Sequence, residues 1–366
     1  VTGVQTCALP IWWSFSTPDV RARLRAAVRL AALCHDLGHA PFSHCTEFAM
    51  PPVRALGLGW YRQDPGERKA EHEDYTVAVL ERTSLGAAID AGFPCGARHV
   101  AALVSSAVGV EDDFFVDGGL DHRRLLAQIV SSELDVDRLD YLVRDAYYTG
   151  AQYGAVDVRW ILSHLGHHVA DGQVWLAVEG AAIYAVEDFL IARHHMFLQV
   201  YLHHTCIVYE EMLKRWVGAS GWAVPADLER FLWCDDLDLE LTLRRSGDPW
   251  ARRLVERRPF RRVVERHGQG RLASVEREAA LLEGAGIELI VAESSSRLSR
   301  YALGRLRRAA SPIWVLERLP GARTVRTSTL EEASGVFERY AGAHSINRVF
   351  VAPEDRARAL AALGVW

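Results

Sequence analysis

Apolar positions recur with a helical period over most of the chain. Residues 20–36 read VRARLRAAVRLAALCHD, with apolar side chains three or four apart and arginines on the other face, the pattern of an amphipathic helix. Thr17-Pro18-Asp19 supplies its start: an N-cap hydroxyl, proline at the first helical position and an acid in the first turn. The pattern predicts that this helix ends at Gly38. Further helices are predicted near 72–83, 98–108 and 121–148, and a long apolar and aromatic one near 181–217. Residues 51–70, rich in Pro and Gly, read as a loop. Strand-like runs are expected only late, at 289–292, 312–319 and 348–352, with helical stretches between them. No internal repeat is visible. The chain reads as mostly α, with a helical domain over residues 12–280 and a smaller C-terminal α+β unit over 281–366.

Composition narrows the class. The 366 residues are 49% hydrophobic and 24% charged, enough apolar surface to offset chain entropy, so disorder is excluded. No apolar run reaches the roughly 18 residues of a membrane span. The formal charge of −5 argues against a molecule that binds nucleic acid over its whole surface. Lysine occurs only at Lys69 and Lys214, so phosphate contacts would fall mainly to arginine forks. Six cysteines without CxxC spacing and without a secretory context read as reduced thiols of a cytoplasmic protein. Residues 1–11, VTGVQTCALPI, have no basic n-region and resemble translated sequencing-adaptor reads. They are expected to be non-native, with the natural N-terminus missing.

Three clusters carry the chemistry. The densest is Cys34-His35-Asp36-Leu37-Gly38-His39-Ala40-Pro41-Phe42-Ser43-His44, at the end of the first helix. Adjacent His35 and Asp36 lie about 100° apart on a helix and can converge on one ion beside its end. Imidazole with carboxylate suits Mn, Fe, Zn, Ni or Co. A chance HD dipeptide capping a helix C-terminus is the plainer alternative, but three histidines within ten residues at a helix break favour metal or phosphate chemistry. The second cluster is Glu71-His72-Glu73-Asp74, which composition alone reads as a solvated acidic helix start. In the third, residues 131–145, Asp137, Tyr141 and Asp145 (or Arg138, Tyr141 and Asp145) form one polar stripe on a helix, with Leu134, Leu139 and Leu142 on the packed side. A surface salt-bridge face is the alternative there.

The ordered set HDLGHAPFSH, AEHED, ELDVDRLDYLVRDAYYTG and YGAVDVRWI, with ARHHMFLQVYLHH and LWCDDLDLELTL further on, resembles the HD superfamily of metal-dependent phosphohydrolases. More closely it is similar to the deoxynucleoside triphosphate triphosphohydrolase (dGTPase-like) branch, over roughly residues 20–280. The resemblance implies a helical HD-domain core and a divalent cation (Mn, Fe, Zn, Ni, Co or Mg) held by His35, Asp36 and Asp137. A further upstream histidine would complete that set; no histidine precedes His35 here. It implies His44 and His72 at the reacting phosphate and leaving group, with His72 as general acid tuned by Glu73. His39, Arg138 and Arg193 would meet the phosphates, Tyr141 the sugar, Asp145 the 3′-hydroxyl and Tyr201 the 2′ position. Metal-activated water would attack the α-phosphorus and release deoxynucleoside and inorganic triphosphate. A nucleotide effector and a homo-oligomer, dimer or tetramer, are further implications. Phe197 and Leu202 leave the base preference open.

Two other readings stay beside this one: an HD phosphohydrolase of another nucleotide or phosphomonoester, and a non-catalytic nucleotide- or nucleic-acid-binding module. The arginine-rich stretches 252–271 and 297–308 read either as a phosphate-binding surface or as a solvated helix face with interleaved Glu256 and Glu265. Trp12 and Trp13 read as core or oligomer contacts.

Overall fold

A computed structural model describes residues 15–268, 274–296, 312–318, 325–339 and 344–365. Trp12, Trp13, residues 1–11 and the arginines of 297–308 lie outside these.

The first helix, α1 (Pro18–Cys34), begins as its sequence predicts: Thr17 Oγ1 accepts from the Val20 amide at 3.2 Å, with Pro18 just inside the helix. It stops at Cys34, one turn before Gly38, because His35 already acts as its C-cap. Val20, Leu24, Ala27, Val28 and Ala31 are buried on one face, and each large side chain removed from water there contributes about 2 kcal/mol. They pack with α2 (His72–Arg82), α3 (Ser84–Gly92), α4 (Ala97–Val104) and α5 (Arg123–Val130) into one apolar cluster.

The helix expected over 121–148 is two. Residues 131–135 break it, and Asp135 starts α6 (Val136–Thr149) by accepting from the Arg138 amide at 2.7 Å. Short α7 (Val158–Ser163) follows. The long helix expected near 181–217 is also divided. α8 (Ile183–Met196) runs into a π-helical turn at Phe197–Tyr201, and α9 (His204–Ser220) restarts beyond it. α10 (Leu228–Leu232), α11 (Asp236–Arg245) and α12 (Pro249–Val255) close this part of the chain.

Strands do not wait for the C-terminal part. After the two-residue strands β1 (Val116–Asp117) and β2 (Leu120–Asp121), the hairpin β3 (Leu165–Ala170) and β4 (Gln173–Glu179) turns at Asp171 and Gly172. Both turn residues have positive φ, 51° and 71°, as a two-residue hairpin loop requires. β5 (Arg261–Gly268), α13 (Glu276–Gly284), β6 (Leu289–Ser296), β7 (Trp314–Arg318), β8 (Val325–Thr329), α14 (Leu330–Ala333), α15 (Val336–Arg339), β9 (His344–Val351) and α16 (Arg356–Ala362) complete the described elements. They form two sheets: β1-β2-β4-β7-β8 with β3 on β4, and antiparallel β5-β9-β6. Thus β7 from the late region pairs in parallel with β4, and the boundary drawn at 280/281 falls inside α13. Among the described residues, helix of all kinds at 54% against 17% strand makes the fold mostly α, with a smaller C-terminal α+β unit.

The arginine-rich stretch 252–268 runs from the last turn of α12 through a loop into β5 and is not one helix face. Its side chains pair with carboxylates, Arg253 with Glu354, Arg262 with Glu265 at 2.6 Å and Arg266 with Glu278. Among the described residues no helix is long and apolar enough to cross a membrane, and the five described cysteines form no disulfide.

Candidate active site

The site is built where the chain leaves α1. The His35 amide still donates to Ala31 O, and its Nδ1 meets Ala32 O at 3.0 Å. That contact fixes the ring and leaves Nε2 facing inward, 3.2 Å from Asp36 Oδ1 and 3.8 Å from Asp137 Oδ1. The Nε2 atom is buried and makes no hydrogen bond among the described residues. Asp137 arrives from the first turn of α6, half-buried. Burial, with the neighbouring Asp135 and Asp36 charges, pushes its carboxyl up, His35 opposing. These three residues offer ligand atoms within 4.8 Å of one another. An imidazole oriented by a backbone carbonyl, with an unsatisfied inward nitrogen beside two carboxylates, fits a divalent cation.

The following turn is clamped onto α2. The Gly38 amide donates to Thr76 Oγ1 at 3.0 Å, and that hydroxyl donates to His35 O at 2.8 Å. A Cβ on Gly38 would stand 2.0 Å from His72 O and 2.5 Å from Thr76 N. Only glycine allows this approach. Gly38→Ala is therefore expected to cost roughly 3 kcal/mol or more, seen as a lowered midpoint in a thermal melt; an unchanged midpoint would show that the turn and α2 separate easily.

The approach brings a second group together. His39 stacks on His72 with ring centroids 4.0 Å apart, and His44 lies edge-on to both at 4.8 and 5.4 Å. Glu47, not anticipated from sequence, joins them: its Oε1 lies 2.7 Å from His72 Nδ1 and 3.1 Å from His44 Nδ1. Hydrogen bonds from these two rings hold the Glu47 carboxyl well below the usual carboxylate range. In return its hydrogen bond raises the pKa of His44 despite burial. Burial depresses His72, but Glu47, Glu73 and Asp36 together outweigh it and raise its pKa. Glu73, the residue expected to tune His72, is 3.5 Å from its Nε2. The closest carboxylate contact on that ring is Glu47. Its neighbour Asp74 is structural: buried, it accepts from the Glu71 amide at 2.8 Å, from Tyr61 at 2.5 Å and from Arg68 at 2.9 and 2.8 Å.

Asp36 joins the two groups. Its Oδ1 is 3.2 Å from His35 Nε2 and 3.3 Å from His39 Nε2. Burial disfavours its charge, yet His39, His35 and His72 hold its carboxyl below the ordinary value.

Along α6 the half-buried residues Asp137, Tyr141 and Asp145 follow at four-residue steps, the stripe expected from sequence. Tyr201, from the π-turn, donates to Asp145 Oδ2 at 2.7 Å and lies 6.1 Å from the Tyr141 ring. Burial first, then Asp145, pushes its phenol well up. Arg193 reaches the same place from α8, hydrogen-bonded to Tyr141, 3.6 Å from Glu133 Oε2 and over the Phe197 ring at 5.1 Å. Arg138 is buried and ion-paired with Asp135. Both arginines expected to meet phosphate are thus anchored by buried acids, which holds each fork in place without using all five of its N–H donors.

A family model described as the HD associated region matches residues 156–293. Over 64% of its length the chain is 28% identical to an uncharacterized protein, MJ1154, of Methanocaldococcus jannaschii, covering 43% of that protein. It is 31% identical to uncharacterized YwfO of Bacillus subtilis over 47% of this chain and 32% of the relative. It is 25% identical to human deoxynucleoside triphosphate triphosphohydrolase SAMHD1 over 51% of this chain and 30% of the relative. The chain therefore spans less than half the length of these relatives. In fold it is similar to a hypothetical protein of Aquifex aeolicus (TM-score 0.65, 23% identity, 94% of this chain and 82% of the other). It is likewise similar to a phosphohydrolase of Bacteroides thetaiotaomicron (TM-score 0.61, 21% identity, 95% and 84%). Residues 156–293 thus match the HD associated region, about half of the chain is similar to a deoxynucleoside triphosphate triphosphohydrolase, and the fold is shared with the two solved structures.

Proposed function

We infer that this chain hydrolyses deoxynucleoside triphosphates, cleaving the bond between the α-phosphorus and the 5′-oxygen to give deoxynucleoside and inorganic triphosphate. The observation that carries this reading is the junction at Asp36. One carboxylate oxygen touches both the His35–Asp36–Asp137 group, 3.2 Å from His35, and the His39–His44–Glu47–His72 group, 3.3 Å from His39. A cation site and a proton donor therefore sit side by side, as phosphoryl hydrolysis with a poor leaving group needs.

His35, Asp36 and Asp137 would hold the cation. When bound, it supplies Lewis acidity, lowering the pKa of a water from about 16 toward 7 and polarising the phosphoryl oxygen. His72, its Nδ1 held by Glu47 at 2.7 Å, has Nε2 left to give a proton to the departing 5′-oxygen. His44 shares the same carboxylate and sits at the more exposed rim. His39 lies between the acid and Asp36, positioned for a phosphate oxygen. Arg138 and Arg193 are preorganised donors for the remaining phosphate charge. Tyr141, Asp145 and Tyr201 form a wall that suits a deoxyribose: Asp145 has acceptor capacity for a 3′-hydroxyl beside the ring that would crowd a 2′-hydroxyl.

The test is product analysis. The protein is incubated with Mn²⁺ and each dNTP, singly and in pairs, and the products are separated. Inorganic triphosphate with deoxynucleoside is the expected pair. Orthophosphate release from phosphomonoesters instead would move the reading to another HD phosphohydrolase.

A further inference from the structure

The geometry points to a second cation site in this chain, formed by His44, Glu47 and His72, that takes zinc and thereby lowers turnover through the two imidazoles. Its effect on turnover rests on the reading of His72 and His44 above; the binding itself does not.

The three side chains present one oxygen and two nitrogens to a common point. Glu47 Oε1 lies 3.1 Å from His44 Nδ1 and 2.7 Å from His72 Nδ1, and with His39 all the ligand atoms fall within 4.8 Å of one another. Donor atoms around a tetrahedral zinc with bonds of about 2.0–2.2 Å stand roughly 3.3 Å apart. Two of the trio's separations, 3.1 and 2.7 Å from Glu47 Oε1, are already close to that, and the two nitrogens fall within the 4.8 Å of the group. Two imidazoles and one carboxylate, with a fourth position open, is a known zinc donor set.

The scaffold holds these donors without rearrangement. His44 and Glu47 sit on consecutive 3-10 turns, Ser43–Cys45 and Glu47–Ala49, and His72 is the first residue of α2. The Gly38 contact with His72 O fixes the distance between the two elements. His44 is the most exposed of the three, at 69% of its side chain, so the open side faces solvent.

The two neighbouring groups also differ in donor character. His35, Asp36 and Asp137 give one nitrogen and two oxygens, a harder set suited to Mn or Mg. His44, Glu47 and His72 give two nitrogens and one oxygen, which favours metals later in the divalent series, zinc among them. Mn²⁺ would therefore fill the first site and leave the second open, whereas excess Zn²⁺ fills both. Zinc on the Nδ1 atoms of His44 and His72 displaces the hydrogen bonds to Glu47 that hold the two rings, and its charge alters the proton affinity of His72 Nε2, the atom that would protonate the leaving oxygen.

Metal stoichiometry tests this without substrate. Chelator-stripped protein is dialysed against low-micromolar Zn²⁺ at neutral pH, and bound zinc is counted by atomic emission. The wild type is expected to hold two equivalents, Asp137→Asn one, His44→Ala one, and the double variant none. Thermal melts of the stripped proteins confirm that each is folded, and exposed His44 can be truncated without opening the core. A His44→Ala protein that still binds two equivalents, or an Asp137→Asn protein that binds none, overturns the second site. On the Mn²⁺-loaded enzyme, added Zn²⁺ is expected to lower wild-type turnover at least about tenfold and to leave the residual turnover of His44→Ala unchanged; equal inhibition of both would overturn this effect. Failure to hydrolyse dNTPs would refute the proposed function and leave the zinc count standing.

Discussion

Replacing Asp137 with Asn is expected to lower turnover by on the order of 10³-fold, about 4 kcal/mol of transition-state stabilisation, and to weaken Mn²⁺ binding in parallel. Asp137 Oδ1 faces the buried, unsatisfied His35 Nε2 at 3.8 Å, from a helix separate from α1, just beyond whose end His35 and Asp36 lie. The amide keeps the shape but loses the charge, so the group retains one imidazole and one carboxylate. The change does not disturb the start of α6, because Asp135 makes the capping contact with the Arg138 amide at 2.7 Å. Turnover as a function of Mn²⁺ concentration, beside a direct Mn²⁺ titration, checks this. Wild-type affinity in the variant would show that residues 35–36 and 137 do not share a cation.

His72→Ala is expected to reduce kcat on a dNTP by roughly 10² to 10⁴, the range of a lost general acid, with little change in KM. The loss should depend on the leaving group. A deoxynucleoside 5′-oxygen needs a proton as it departs, whereas a nitrophenolate does not. With nitrophenyl triphosphate, which would release the same inorganic triphosphate, the variant should therefore approach the wild type. Glu47→Gln should follow the same pattern more weakly, since it spares His72 and removes only the carboxylate 2.7 Å from its Nδ1. A defect that is equally large for both leaving groups would show that His72 holds the substrate and does not protonate it.

How far the sequence reached depended on the range of each interaction. The His35–His44 run was legible because its polar residues are consecutive, and Asp137, Tyr141 and Asp145 because a helical period puts them on one face. Glu47 was not. It carries no motif of its own, and its role exists only once the 3-10 turns bring it back across His44 to meet His72. The β3–β4 hairpin had a local signal, Asp171-Gly172 between alternating residues, which the surrounding helical pattern obscured. Pairing of β7 with β4 spans well over a hundred residues, and nothing local announces it. The anchoring of Arg193 near Glu133 at 3.6 Å is likewise a product of assembly, whereas the Asp135–Arg138 pair could have been read from an acid three residues before a base at a helix start.

The π-turn at Phe197–Tyr201 carries a consequence for comparing this chain with its relatives. Such a turn accommodates one more residue than an α-helix of the same length, so each position beyond it is rotated by about 100° from where an uninterrupted helix would set it. Deleting Leu198, Gln199 or Val200 would swing the Tyr201 hydroxyl away from Asp145 while leaving Arg193, Phe197, Tyr201 and Asp145 themselves unchanged. Set against an uninterrupted helix on hydrophobic pattern alone, this segment would pair Tyr201 with the wrong neighbour.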